Sequence, residues 1–157
     1  MAQSPLENSF LPKNAANGGD IINLLGVSIS TLPVEKVIEY ITQTIIQGRK
    51  AIVSYVNVHA LNLAQDSNWF RDFLNQADLT YCDGYGIKWG ARILGSEVPD
   101  RFTPPDWFPR LAETCTREGF SLYFLGARPG VTDKAANRLK SRFPSLKIVG
   151  TQHGYFE

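Results

Sequence analysis

Three stretches of this sequence end in residues that could do chemistry. Asp83 follows the short strand-like run 79–82, Asn57 follows the β-rich run 51–56, and a glycine-containing loop begins after residue 125. Runs of this kind are typical of strands that are covered on both faces in a parallel sheet. Parallel strands present their carboxyl ends at one edge, where open α/β sheets bind their ligands. The spacing therefore predicts a binding or catalytic edge that contains Asn57, Asp83 and the loop.

Asp83 is the candidate catalytic group at this edge. A carboxylate that is held beside a substrate can act as a general base and remove a proton from an attacking hydroxyl. The pair Asp83-Gly84 is also a common turn sequence, which is the alternative interpretation of the same residues. His59, two residues beyond Asn57, is a weaker candidate, because a lone histidine more often satisfies a local hydrogen bond than acts as a base.

The loop from Gly126 to Gly130 joins a predicted strand to a predicted helix. Backbone amides and the helix dipole at such a junction can bind a phosphate, and Arg128 adds a positive charge. The loop matches neither the G-x-G-x-x-G fingerprint nor a Walker loop, and a plain strand-to-helix turn is the alternative. Arg101, in the proline-rich segment 96–105, could hold a diphosphate bidentately, with a solvated surface arginine as its alternative.

Three aromatic residues lie close to these positions in the sequence: Tyr85, Trp89 and Trp107. Each could stack on a sugar or a base. Packing in the core is the more usual role of tryptophan, so it is the alternative to stacking on a ligand.

The elements that must position these residues alternate between strands and helices. Apolar residues at helical spacing, such as Val34, Val37 and Ile41, lie between the strand-like runs. This alternation predicts an α/β fold with a Rossmann-like, mostly parallel sheet and helices on both faces. We predict one domain over residues 21–157, preceded by a disordered tail over residues 1–20. Its sheet should contain strands near 51–56, 79–82, 121–125 and 147–150.

Composition excludes several classes of protein. The formal net charge of +1 over 157 residues argues against a protein that binds nucleic acid by neutralising many phosphates. Cys82 and Cys115 have no metal-type spacing, so reduced, buried thiols and no metal or cofactor are predicted. The sequence has no transmembrane run and no secretory signal. We therefore expect a cytoplasmic protein, with contact at a membrane surface left open.

Several motifs together resemble the WecG/TagA/CpsF family of bacterial glycosyltransferases, known as glycosyltransferase family 26. The similarity extends from residue 21 to the end, with the motifs in the family's order and spacing. The motifs that carry it are YVNVHALNLA at 55–64, ADLTYCDGYGIKWGARILG at 77–95, RFTPPDW at 101–107, and the pair YFLGARPGV and IVGTQHGYF.

The resemblance implies an inverting, metal-independent transfer in the synthesis of cell-surface polysaccharide or teichoic acid. The donor would be a UDP-sugar, commonly of N-acetylmannosamine or a related hexose, and the acceptor a polyprenyl-diphosphate-linked sugar. By position, Asp83 matches the family's proposed base, Asn57 its substrate-contacting asparagine and Arg101 its loop arginine. Tyr55 stands where many members have threonine, which implies altered contacts with the acceptor or the sugar.

Members of this family continue well beyond the GYF motif, and the chain resembles the first two-thirds of such an enzyme. We therefore expect part of the sheet to be exposed, so that the chain forms homo-oligomers and turns over weakly. We also expect weaker contact with the inner face of the cell membrane than in longer members of the family. The alternative is a sugar-nucleotide-binding fragment without turnover. A Rossmann-type oxidoreductase is disfavoured, because no predicted strand is followed by G-x-G-x-x-G.

Overall fold

The computed structural model describes residues 21–96 and 103–156. The chain forms two compact units, one ending at Thr103 and the other beginning at Pro104. Each unit has its own sheet and its own helices. The tail predicted over residues 1–20 lies outside the described residues.

The first unit is built on a four-stranded sheet in the order β1-β2-β4-β3. Strands β1 and β2 form an antiparallel hairpin, whereas β2, β4 and β3 are mutually parallel. In chain order its elements are β1 (Ile21–Leu24), β2 (Val27–Ser30), α1 (Val34–Ile46), β3 (Val53–Val56), α2 (Val58–Asp66), α3 (Asn68–Gln76), β4 (Leu79–Cys82) and α4 (Tyr85–Ile93).

A two-residue turn joins β1 to β2. Both of its residues have positive φ, 50° at Leu25 and 83° at Gly26. Two positive φ values at the centre of a two-residue hairpin are typical of a type I′ turn, whose twist matches that of the strands. The side chain of Asn75 on α3 donates to the Gly26 carbonyl, so the hairpin is fixed to the layer of helices.

The core of the first unit lies between the sheet and the helices. All four residues of β4 are buried, as expected for a strand with a parallel neighbour on each side. Helix α4 contributes Ile87 and Ala91, both fully buried and four residues apart on one helical face. The other members of this cluster include Leu24, Val27, Ile29, Val56, Leu61 and Leu74.

The second unit contains two helices and two parallel strands. They are α5 (Pro104–Glu118), β5 (Ser121–Leu125), α6 (Val131–Arg142) and β6 (Lys147–Gln152). Prolines 104 and 105 lie in the first turn of α5, where their missing N–H groups cost no helical hydrogen bond. The rings of Phe108 on α5 and Phe124 on β5 pack with centroids 5.7 Å apart.

The predicted α/β class with mostly parallel strands is confirmed. The four predicted strands, however, are divided between two sheets, because β5 pairs with β6 and not with β3 or β4. An apolar run predicts that a segment is a strand, but the pairing depends on which backbone groups meet in space. The single domain predicted over residues 21–157 stays a prediction.

Candidate active site

Asn57 and Asp83 lie side by side at the carboxyl edge of the first sheet. Strands β3 and β4 run parallel with Val56 opposite Cys82, and each candidate residue follows one member of that pair. The Asp83 N–H donates to the Val56 carbonyl at 2.8 Å, so the pairing of the two strands extends to Asp83. The prediction that both residues share one edge is confirmed.

Asn57 begins helix α2. Its backbone is extended, with φ −115° and ψ 179°, and its Oδ1 accepts a hydrogen bond from the Ala60 N–H at 2.9 Å. This is the usual role of asparagine at the start of a helix. The bond uses the side-chain oxygen, so the two N–H groups of Nδ2 are the part of Asn57 that can donate to a ligand.

Asp83 begins the connection to helix α4. Its side chain is half-buried, and Gly84 follows with φ 90° as the residue before the helix. Glycine takes this conformation at low cost, which allows the chain to turn sharply from strand to helix. The carboxylate therefore lies near the amino end of α4, where the helix dipole stabilises negative charge.

The first turns of α2 and α4 are in close contact next to these two residues. A Cβ atom on Gly86 would lie 2.2 Å from Cγ2 of Val58, far inside the contact distance of two carbon atoms. The missing side chain at residue 86 thus allows both helices to begin at the same edge. Sequence analysis did not identify Gly86; the available signal was a glycine in the first turn of a predicted helix.

Cys82 lies directly before Asp83 and is buried. Burial, together with the negative charge of Asp83, raises the pKa of the Cys82 thiol to about 11. The thiol is therefore protonated at neutral pH, and its Sγ donates to the Gly84 carbonyl at 3.6 Å. Because the thiolate is the reactive form of cysteine, Cys82 supports the site rather than serving as a nucleophile.

The aromatic residues near the edge differ in exposure. Tyr55 on β3 is 46% exposed, and its ring packs on Tyr81 of the neighbouring strand with centroids 6.1 Å apart. Tyr85 and Trp89, one turn apart on α4, are also largely exposed, whereas Trp107 is buried. Stacking on a ligand is thus open to the first three, and the core interpretation holds for Trp107.

The loop between β5 and α6 belongs to the second unit. Gly126 and Gly130 have φ values of 133° and 79°, and Ala127 is also left-handed at 58°. The Gly126 N–H donates to the Gln152 carbonyl at 3.0 Å, and the Gly154 N–H donates to the Ala127 carbonyl at 2.9 Å. The end of β6 and the residues beyond it therefore fix the shape of this loop.

Two features of this loop bear on the predicted anion site, which stays a prediction. Arg128 is exposed, and Gly130 precedes the first turn of α6. Asp133 in that first turn accepts a hydrogen bond from the Thr151 hydroxyl, so its carboxylate is already engaged. The expectation that Gly126 shares one cleft with Asn57 and Asp83 stays a prediction, and Arg101 lies outside the described residues.

The described residues contain neither a group of metal ligands nor a membrane-spanning helix. Within residues 21–96 and 103–156, no three histidine, cysteine, aspartate or glutamate side chains are grouped as metal ligands. None of the helices in this part of the chain is both long and apolar enough to cross a membrane.

Comparison with known proteins identifies the class to which the chain belongs. The model of the glycosyl transferase WecG/TagA/CpsF family matches residues 22–157, so the chain is a member of that family. A relative in Bacillus spizizenii, strain ATCC 23059 / NRRL B-14472 / W23, is an N-acetylglucosaminyldiphosphoundecaprenol N-acetyl-beta-D-mannosaminyltransferase. The two sequences are 25% identical over 109 residues, which cover 69% of this chain and 42% of the relative.

Proposed function

We propose that this chain carries the catalytic edge of an inverting glycosyltransferase that uses a UDP-sugar. The donor sugar is a hexose or N-acetylhexosamine such as N-acetylmannosamine, and the acceptor is a sugar on a polyprenyl diphosphate. The observation that carries the proposal is the placement of Asn57 and Asp83 directly after two neighbouring strands, beside the contact between the first turns of α2 and α4. Membership in the family and the name of the relative support the substrate classes.

In the proposed reaction Asp83 is the general base. Its carboxylate accepts the proton of the acceptor hydroxyl while that oxygen forms a bond to the anomeric carbon of the donor. The bond from the anomeric carbon to the UDP oxygen breaks on the opposite face, which inverts the configuration, and UDP leaves with the bonding electrons. A single base is sufficient for such a displacement.

The remaining residues hold the substrates in this proposal. The Nδ2 group of Asn57 donates to a substrate hydroxyl or carbonyl, because its oxygen is already bonded to Ala60. Tyr55 offers an exposed ring two residues before Asn57. The loop residues Gly126, Arg128 and Gly130 act on the diphosphate of the donor. Arg101 is proposed for the same diphosphate from its match to the family motif alone.

The proposed setting follows from the acceptor. A polyprenyl-linked sugar is held in a lipid bilayer, so the protein would act from the cytoplasm at the inner face of the cell membrane. Its product would enter cell-surface polysaccharide or teichoic-acid synthesis. We also propose that the protein forms homo-oligomers.

A direct assay of the chain tests this function. The protein is incubated with UDP-N-acetylmannosamine and a short-chain polyprenyl-diphosphate N-acetylglucosamine, and both UDP release and the disaccharide lipid are measured. We expect UDP release that requires the acceptor and a disaccharide product of inverted anomeric configuration. UDP binding without product would instead establish the sugar-nucleotide-binding fragment, and the absence of both would refute the proposal.

A further inference from the structure

A groove in the second unit combines apolar walls with positive charge. It has a volume of about 790 Å³ and lies between the amino end of α5, strand β5 and one face of α6. Its walls include the aromatic rings of Phe108 and Phe124 and the side chain of Leu139. This volume is within the range of sites that bind small molecules.

Among the residues that the structure describes, the charged groups that line the groove all belong to helix α6. Lys134 and Arg138 are one helical turn apart, and the other lining residues are all apolar. Both cations are exposed, and within the described part of the chain neither side chain has an ion pair or a hydrogen bond. The described lining therefore offers donors and positive charge along one side, but no side-chain acceptor.

This chemistry selects among possible occupants. A nucleotide places a polar base and ribose in its site, and those groups need hydrogen-bond acceptors as well as donors, because buried polar groups that lack partners are costly. The groove provides apolar wall instead. A long apolar chain that ends in an anion fits both halves of the lining, since the chain covers the rings and the anion meets Lys134 and Arg138.

We propose that this groove binds the isoprenoid diphosphate part of a lipid-linked acceptor. The inference rests on the proposed function for its substrate class, because the relative's name specifies a diphosphoundecaprenol substrate. In this arrangement the isoprenoid lies between α5 and α6 along Phe108, Phe124 and Leu139, and the diphosphate is bound by Lys134 and Arg138.

A binding measurement that needs no turnover tests the proposal. Geranylgeranyl diphosphate is titrated into the full chain by calorimetry, with geranylgeraniol and inorganic diphosphate as the two partial ligands. Binding of the complete ligand should be at least about tenfold tighter than binding of either part, because charge-assisted contacts and apolar burial both contribute. Equal binding of inorganic diphosphate alone would overturn the proposal by showing a simple anion site.

Matched variants on α6 locate the site. Ala135→Trp should fill the groove and weaken binding of geranylgeranyl diphosphate by about tenfold or more, whereas Lys140→Ala, on the same helix but outside the lining, should leave it unchanged. The double variant Lys134→Ala, Arg138→Ala should weaken binding of geranylgeranyl diphosphate more than binding of geranylgeraniol. Circular dichroism and thermal melting of each variant confirm that it is folded.

Two further outcomes would overturn the inference. If Ala135→Trp leaves binding intact, the ligand lies elsewhere. If the wild-type chain is a dimer by sedimentation and Ala135→Trp makes it a monomer, the occupant is a second copy of the chain. The affinity for UDP, measured on the same variants, should not change. If the wild-type chain does not bind UDP, the proposed function is refuted, whereas the measured binding of geranylgeranyl diphosphate in the groove still stands.

Discussion

Asn57 and Asp83 occupy equivalent positions, each one residue beyond a strand of the same parallel pair. The hydrogen bond from the Asp83 N–H to the Val56 carbonyl, at 2.8 Å, fixes this relationship. A helix begins directly after Asn57 and two residues after Asp83. The edge therefore combines an amide donor, a carboxylate and the positive ends of two helix dipoles, which is the arrangement on which the proposed transfer depends.

Replacement of Asp83 tests its role as the base. Asp83→Asn removes the proton acceptor but keeps the shape of the side chain, so kcat should fall by about 10²–10⁴-fold with donor affinity nearly unchanged. The measurement is turnover of UDP-sugar together with calorimetric UDP binding. Asp66→Asn, which changes an exposed carboxylate at the end of α2, is the control and should leave both unchanged. An equal loss of rate and affinity would mark Asp83 as a structural turn residue.

Two glycines of helix α4 should respond in opposite directions to alanine. Gly86→Ala forces a Cβ atom against Val58 and should lower the free energy of unfolding by about 1–3 kcal/mol. A Cβ atom on Gly90 would lie 3.7 Å from Leu24, which is an ordinary contact. Gly90→Ala should therefore raise the free energy of unfolding by about 0.5–1 kcal/mol. Denaturant unfolding measures both effects.

A second variant separates the contact at Gly86 from other causes. Val58→Ala in the Gly86→Ala background should restore part of the lost stability, because the clash is with the Val58 side chain. Activity should follow the same order, since the clash displaces the first turns of α2 and α4 beside the active site. Additive effects of the two changes would show that the contact does not limit the approach of these helices.

Arg128 tests whether the loop before α6 binds the donor. Arg128→Ala should weaken UDP binding by about tenfold or more if its guanidinium meets the diphosphate. Arg142→Ala, at the other end of the same helix, is the matched control and should have no effect. A side chain at Gly126 is a less direct test, because φ is 133° there and any side chain would strain the loop. Wild-type UDP affinity in Arg128→Ala would identify the loop as a turn.

The Cys82 thiol should make stability depend on pH. Its pKa is 9.0 without burial and about 11 in the folded chain, so between these values the unfolded chain ionises while the folded chain keeps its proton. Its contribution to stability is complete below pH 9 and falls as the pH rises towards 11, by at most roughly 2–3 kcal/mol.

The stability difference between the wild type and Cys82→Ala measures this effect. It should be smaller at pH 10.5 than at pH 8 in denaturant unfolding. Val56→Ala, which changes the buried partner of Cys82 in the strand pair, has no titrating group and should show a difference that is independent of pH. A constant difference for Cys82→Ala would show that the thiol ionises equally in both states.

Local sequence determined most of the strands and helices, and the positions of the candidate site residues at their ends. The strand-like run at 79–82 predicted β4, and Asn57 and Asp83 were identified from the ends of their strands. Such features depend on residues close together in the chain, because periodicity and capping are local effects. The motifs that carry the family resemblance are equally local.

Only the tertiary structure decided which of these elements meet. It placed Val56 opposite Cys82, divided the strands between two sheets, and showed that Gly86 is needed because Val58 fills the space beside it. It also brought Phe108 and Phe124 into the groove along which Lys134 and Arg138 lie. These relationships join residues up to about 30 positions apart, and contacts over such distances depend on how side chains pack together in space, which no local pattern specifies.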